Sequence, residues 1–354
     1  MQDRLMKRTA VFCTVFTLTA MGVMLYFASN KIIVVADVAQ DEVIRNEQEK
    51  PEMTEDNTIL FDRSSAESEY FYIPLPETVK PEEVTVENHY MDQELWVSAP
   101  TQDAAETKLF YEEHPVAGNA VQVLEGHYEV DKGILNLRFR LTGVYEYRSV
   151  FQDNRLCVEF LKPKDVYDKV IVVDAAYGGE DYGIRDGNFF AKDVTLDVAR
   201  HLKDRMDTSD IKVYYTRMDD SNPTDRRRIQ LADMAEADML IRIEVAEAED
   251  VSVFGTETVC NSRYFIPDFG SVDLADVLER KVVESISGRA VGLVEAGQED
   301  TVVLEATVPA AAVRVGYMTN EKEGYLLRRE DYLDKIAEGI YQAVQMAYEQ
   351  MGDE

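Results

Sequence analysis

The stretch IVVDAAYGGEDYG, residues 171–183, gathers Asp174, Glu180 and Asp181 around a loop that also holds Tyr177 and a glycine pair. The apolar run before Asp174 reads as a buried strand. It delivers the loop to the C-terminal edge of a sheet, where open α/β sheets place their ligands. Carboxylates at such an edge suit a hard cation with oxygen ligands, calcium or magnesium rather than zinc. Zinc calls for imidazole or thiolate. Neither is at hand, and Tyr177 at the loop tip is a rare metal ligand with little reason to act as a base. The four histidines are scattered. His89, His114 and His127 have no ligand spacing, and His201 sits at the border of a helical stripe, facing solvent. Cys13, Cys157 and Cys260 form no C-x-x-C pair. That removes a thiolate zinc site and a thioredoxin motif, and parity alone leaves a Cys157–Cys260 disulfide open.

The elements that must position this loop follow from the hydrophobic pattern. Beyond residue 166 strands and helices alternate. VIVVDA, IKVYYT, DMLIRIEV, SVFGTETVC and PAAAVRVGYM read as strands. KDVTLDVARHLKDRM sets Val194, Val198, Leu202 and Met206 on one helix face. A second helix carries Pro223 near its start, a third begins at Ser271 as its N-cap, and a long helix closes the chain. The expected architecture is α/β, a mixed sheet flanked by helices. Residues 67–165 carry short alternating runs (EYFYIPLP, VTVEN, ELWVSA, KLFYEE) and strand pairs about Asp131-Lys132-Gly133 and Asp153-Asn154, the pattern of a small all-β domain. Its aromatics, Trp96 among them, read as core, with a sugar-stacking platform as the alternative.

The chain has 354 residues and a net charge of -31. That balance excludes nucleic acid as a partner and repels anionic lipids and wall polymers. Arg4, Lys7 and Arg8 form a basic tail over residues 1–8, and Thr9–Ala28 is uncharged. A helix of that length spans about 30 Å, a bilayer core. The expectation is an uncleaved signal anchor with a cytoplasmic N-terminus, a single pass through the cell membrane and extracellular C-terminal domains. A cleaved signal peptide fits less well, because Tyr26 stands where a small residue belongs before Ala28. Residues 29–66 are charged and read as a flexible acidic stalk.

The C-terminal half resembles the zinc-dependent N-acetylmuramoyl-L-alanine amidases of bacterial cell wall. The resemblance runs through VVDAAYGGEDYG, through Thr216, Arg217, Asp220, Arg228 and Ala232, through ADMLIRIEVAEA, through Gly255, Glu257 and Thr258, and through PAAAVRVGYMTN. It implies residues 166–354 as an amidase-like domain. It also implies a zinc held by two His and one Glu, with a second Glu handling the proton. Each of those four positions departs here: Tyr177, Ala191 and Glu244 stand at the metal-ligand positions and Arg314 at the catalytic Glu. The expectation is therefore no metal, no intact catalytic residue, and a cleft whose candidate residues are Asp174, Glu180, Glu257 and Arg314. Asp181 and Glu247 add further carboxylates.

Arg314 and Glu244 should meet in the vacated space, with Tyr177 filling the rest; the alternative turns Arg314 to solvent and leaves the cleft open. Arg217, Asp220 and Arg228 read as polar contacts that brace the fold. The preceding β-rich region is weakly similar to AMIN-type domains, by position and strand pattern alone. The function this reading implies is a membrane-anchored, amidase-like pseudoenzyme that binds peptidoglycan or an envelope protein partner. The alternatives are an active amidase with a rearranged site and a structural docking ectodomain.

Overall fold

The computed structural model describes residues 31–38, 57–62, 68–101 and 104–352. The expected basic tail and the anchor Thr9–Ala28 lie outside the described residues. No helix among the described residues is long and apolar enough to cross a membrane.

The first eleven strands are β1 (Lys31–Ile32), β2 (Val35–Asp37), β3 (Phe61–Asp62), β4 (Phe71–Pro74), β5 (Thr85–His89), β6 (Glu94–Pro100), β7 (Val116–Gly118), β8 (Val123–Asp131), β9 (Ile134–Leu141), β10 (Glu146–Gln152) and β11 (Arg155–Leu161). They form two sheets, ordered β1-β10-β11-β4-β7-β3 and β2-β5-β6-β9-β8. Phe71 and Ile73 from one sheet and Leu95, Val97, Leu137 and Phe139 from the other share a single buried cluster. Alternation explains it: along β6 every second residue is buried. Asp153 and Asn154 both take positive φ, as a two-residue hairpin turn requires.

Three expectations change here. Part of the segment read as stalk is folded: β1, β2 and β3 join the two sheets, and Ile33 and Ile59 are buried. Short apolar runs at the ends of the charged segment, residues 32–35 and 59–61, bring it into the sheets. The run KLFYEE lies in a helix, Ala104–Glu113, not a strand. Thr107 and Tyr111, four apart, are its buried positions, so the period is helical. Trp96 is not core. It stands on the outer face of its sheet, with His89 stacked 3.9 Å away and the Arg138 guanidinium 4.3 Å from its centroid. These come from the strands on either side of β6, so both ring faces are covered and no face is left for a sugar.

The remaining strands are β12 (Val170–Ala175), β13 (Arg185–Asp186), β14 (Phe189–Phe190), β15 (Lys212–Tyr215), β16 (Met239–Ala246), β17 (Thr256–Cys260), β18 (Ala290–Glu295) and β19 (Ala310–Tyr317). Six of them make a mixed sheet, β15-β12-β16-β19-β17-β18. β12, β15, β16 and β19 are parallel, and β17 runs antiparallel to β19. β12 is buried throughout, as a central parallel strand covered on both faces must be. Helices Ala191–Met206, Ser271–Ile286 and Glu330–Gly352 pack together on one face. Helices Asp225–Met234 and Thr301–Glu305 pack against each other and the sheet on the other. Val194, Val198, Leu202 and Met206 are all buried, as their spacing requires. Ser271 is the first helical residue rather than the cap. Gly270 caps, its N–H donating to Asp273 Oδ2 at 2.9 Å, while Ser271 Oγ accepts from Ala310 N at 3.1 Å.

The two parts of the chain are tied along β15. Tyr90 and Met91, from the turn after β5, belong to the core of the second part. The Tyr90 hydroxyl donates to Tyr215 O at 2.9 Å and accepts from Tyr215 N at 3.1 Å, behaving like a strand partner at the sheet edge. Cys157 and Cys260 are both buried free thiols.

Candidate functional site

Strand register sets the site. Asp174 on β12 pairs with Arg242 on β16; Glu244, two residues on and on the same face, pairs with Arg314 on β19; Arg314 in turn pairs with Glu257 on β17. Four neighbouring strands thus present a row of alternating charge under helices Asp225–Met234 and Thr301–Glu305. Arg228, from the first of these helices, is ion-paired with Asp174, which also accepts from Thr216 Oγ1 at 2.6 Å. Arg242 Nη1 lies 2.5 Å from Asp174 Oδ2 and its Nε 2.6 Å from Glu244 Oε1. Arg314 bonds a different carboxylate with each nitrogen: Nε to Glu244 Oε2 at 3.2 Å, Nη1 to Glu257 Oε1 at 2.7 Å and Nη2 to Asp300 Oδ1 at 2.8 Å. The Tyr317 hydroxyl closes the row, donating to Glu257 Oε2 at 3.0 Å.

The titration behaviour follows from burial and partners. Burial alone would raise Asp174, but the Arg228 and Arg242 guanidinia and the Thr216 hydroxyl overcome it and hold the carboxyl well below the usual carboxylate range. Burial works against charge on Arg314 too, yet Glu257, Glu244 and Asp300 keep the guanidinium firmly protonated. Asp300 is raised, first by burial and further by Glu244 and Glu299, against the opposing pull of the Gly297 N–H and Arg314. Burial, with Glu257 beside it, pushes Tyr317 up to about 12.

The loop after β12 forms one wall. Tyr177 sits half-buried with φ at +66°, a left-handed conformation that costs a non-glycine residue about 1–2 kcal/mol. Arg228 Nη2 holds its carbonyl at 3.0 Å. Burial raises its phenol, and Glu244 adds to that effect. Two glycines make the loop possible. At Gly178 a Cβ would lie 2.0 Å from Ser221 O, and at Gly183 it would press on the Tyr177 ring at 2.8 Å. Arg217 is buried and bonds the carbonyls of Ala175, Ala176, Lys192 and Asp219, all within 2.9 Å. Asp220 receives Lys192 Nζ at 2.8 Å and Gly179 N at 3.1 Å.

Of the residues singled out from the sequence, Asp174, Glu244, Glu257 and Arg314 meet in one network and Tyr177 lines it. Arg314 does not turn to solvent. Ala191 is fully buried at the first turn of its helix, its N–H donating to Ile184 O at 2.9 Å. Glu180, Asp181 and Glu247 are exposed on the surrounding loops and stay outside the network. Arg242, Asp300 and Tyr317 are members that sequence reasoning missed. Arg242 had a signal, lying two residues from Glu244 and so on the same strand face. Asp300 immediately precedes the apolar run TVVLE, the position of a helix cap.

Residues 171–346 match the Amidase_3 family, N-acetylmuramoyl-L-alanine amidase. The chain is 28% identical over 194 residues to the uncharacterized protein YqiI of Bacillus subtilis (strain 168), covering 55% of this chain and 91% of that protein. It is 26% identical over 199 residues to the germination-specific N-acetylmuramoyl-L-alanine amidase of the same organism, covering 52% of this chain and 82% of that one. Among solved structures, an N-acetylmuramoyl-L-alanine amidase from Clostridium difficile 630 aligns at 29% identity with a TM-score of 0.48, over 51% of this chain and 97% of that chain.

Proposed function

Residues 171–346 belong to the N-acetylmuramoyl-L-alanine amidase family, and from that premise we propose that this amidase-like cell-wall protein binds its wall ligand or a partner enzyme without hydrolysing it. The observation that carries this reading is Arg314, held at the centre of the site by Glu244, Glu257 and Asp300.

The family resemblance implies a zinc ion, and the residues present do not fit one. Tyr177 offers a phenol whose proton is held more tightly than usual, and Ala191 offers no donor. Both oxygens of Glu244 already accept from guanidinia, Oε1 from Arg242 and Oε2 from Arg314. A cation placed about 4 Å from either guanidinium would meet roughly 4 kcal/mol of repulsion per unit charge at an effective dielectric near 20. The positive charge a metal would supply is supplied instead by arginine, which can hydrogen-bond a water but offers no Lewis-acid site to lower its pKa. The six-stranded sheet and its helices still frame the site, a scaffold on which a ligand can be held. The uncharged run Thr9–Ala28 supports a single-pass anchor that holds the folded part outside the cell.

Two measurements on the purified protein test this. Elemental analysis should find no stoichiometric zinc, and incubation with purified sacculi should release no stem peptides while the protein sediments with them. Stoichiometric zinc or peptide release would return the chain to the hydrolases. Failure to sediment would shift the reading to a protein partner.

A further inference from the structure

The mixed sheet has two edges, treated differently. β15 is covered by the N-terminal part, through Tyr90 and its hydrogen bonds to Tyr215. β18 has no strand on its outer side among the described residues. Its side chains stand open: Val291, Leu293 and Val294 are 41%, 39% and 37% exposed, and Phe254 nearby is 43% exposed. The strand AVGLVE contains neither Lys nor Pro, the residues that usually keep an exposed edge from pairing. Its first five residues are uncharged, within a chain of net charge -31.

The hydrogen bonding says which groups are available. Cys260 pairs with Glu295, and its carbonyl accepts from Ala296 N at 2.9 Å. Residues 294 and 296 therefore point their peptide groups inward at β17, and Leu293 and Glu295 point theirs outward. The register shift near Val291 interrupts the first half of the strand, and the Gly292 N–H is taken by Glu279 Oε1 at 2.6 Å. The open edge is thus the short run 293–295.

We propose that β18 pairs antiparallel with β18 of a second copy, about a two-fold axis through Val294, so that two sheets become one. Leu293 of each copy then lies opposite Glu295 of the other and exchanges backbone hydrogen bonds with it. Val294 meets its twin as a non-hydrogen-bonded pair. The ends match in sign: Arg289 precedes the strand and Glu299 follows it, and antiparallel pairing carries each toward the other. Parallel pairing would set like against like. The contact is isologous and closes as a dimer rather than a fibre. The like charge of two copies opposes it, so salt strengthens the dimer.

The register makes the test specific. Opposed non-hydrogen-bonded residues have Cα atoms about 4.5 Å apart, within the disulfide range of about 4.4–6.8 Å. In the full chain carrying Cys13→Ala, Val294→Cys should crosslink to a dimer on mild oxidation, whereas Leu293→Cys and Val291→Cys should not. Sedimentation equilibrium should find a dimer that tightens with salt, and Leu293→Lys should abolish it with the circular dichroism unchanged. A wild-type chain that stays monomeric at high concentration and high salt would overturn the proposal. So would equal crosslinking at positions 293 and 294, or an edge that takes up only an added strand peptide of different sequence.

Discussion

Glu244 and Arg314 occupy directly paired positions on adjacent parallel strands, with Arg314 Nε 3.2 Å from Glu244 Oε2. Neither belongs to this pair alone. Glu244 also receives Arg242, and Arg314 also binds Glu257 and Asp300, so each contact is one link of a row that crosses the sheet.

Breaking that row at its centre should be costly. Arg314→Ala leaves Glu244, Glu257 and Asp300 without their shared cation, and removing one partner of a buried ion pair typically costs about 3–5 kcal/mol. Urea unfolding at neutral pH should show that loss, and Arg314→Lys should recover only part of it, since an ammonium cannot meet three carboxylates in a plane. A loss below about 1 kcal/mol, as for an exposed pair, would mean the network contributes little.

Acid should unfold the protein through Asp174. Its folded value lies below the unfolded value of about 3.9, so the unfolded chain binds more protons and stability rises with pH. The contribution is complete above about pH 5 and fades as pH falls through the range beneath 3.9. Asp174→Asn should start less stable and show a shallower dependence below about pH 4. An unchanged slope in denaturation midpoints across that range would exclude Asp174 as the source.

Restoring the family residues should restore the metal. The variant Tyr177→His, Ala191→Glu, Glu244→His, Arg314→Glu places a new carboxylate beside Glu257 and Asp300, a repulsive arrangement that a dication would relieve. Without zinc it should be destabilised, and zinc should raise its thermal midpoint and appear at one equivalent by mass spectrometry. A folded variant that takes up no zinc would reject the correspondence of these four positions.

Tyr90→Phe should loosen the covered edge of the sheet. Removing the hydroxyl that bonds both Tyr215 N and Tyr215 O leaves buried backbone groups without that partner, a cost of about 1–3 kcal/mol. Amide exchange at Tyr215 should quicken while the centre of β12 stays protected. Unchanged exchange at Tyr215 would show that the hydroxyl is dispensable there.

Periodic elements of the sheet and its helices were legible because burial on one or both faces imposes a pattern. The run VIVVDA and the stripe Val194–Met206 could hardly fold otherwise. β18 was not legible, since AVGLVE at an open edge follows neither alternation nor a helical period. The helix Ala104–Glu113 was missed because only Thr107 and Tyr111 of its buried face announce it. The folded ends of the acidic segment rest on a few apolar residues, Ile33, Val35, Ile59 and Phe61, that its overall composition conceals. In the site, the contact between Arg314 and Glu244 could be inferred from two substituted positions, but its extension could not. Spacing puts Arg242 on the strand face of Glu244, and the run TVVLE puts Asp300 at a helix start, but their meeting in one cluster is a tertiary placement that local sequence does not encode.

An arginine at the heart of the cleft is a cation that arrives with the polypeptide. On the proposed non-hydrolytic reading, assembly of this domain needs no metal from its surroundings. Chelation or scarcity of metal in the environment can therefore neither empty the centre nor leave newly made chains waiting for it.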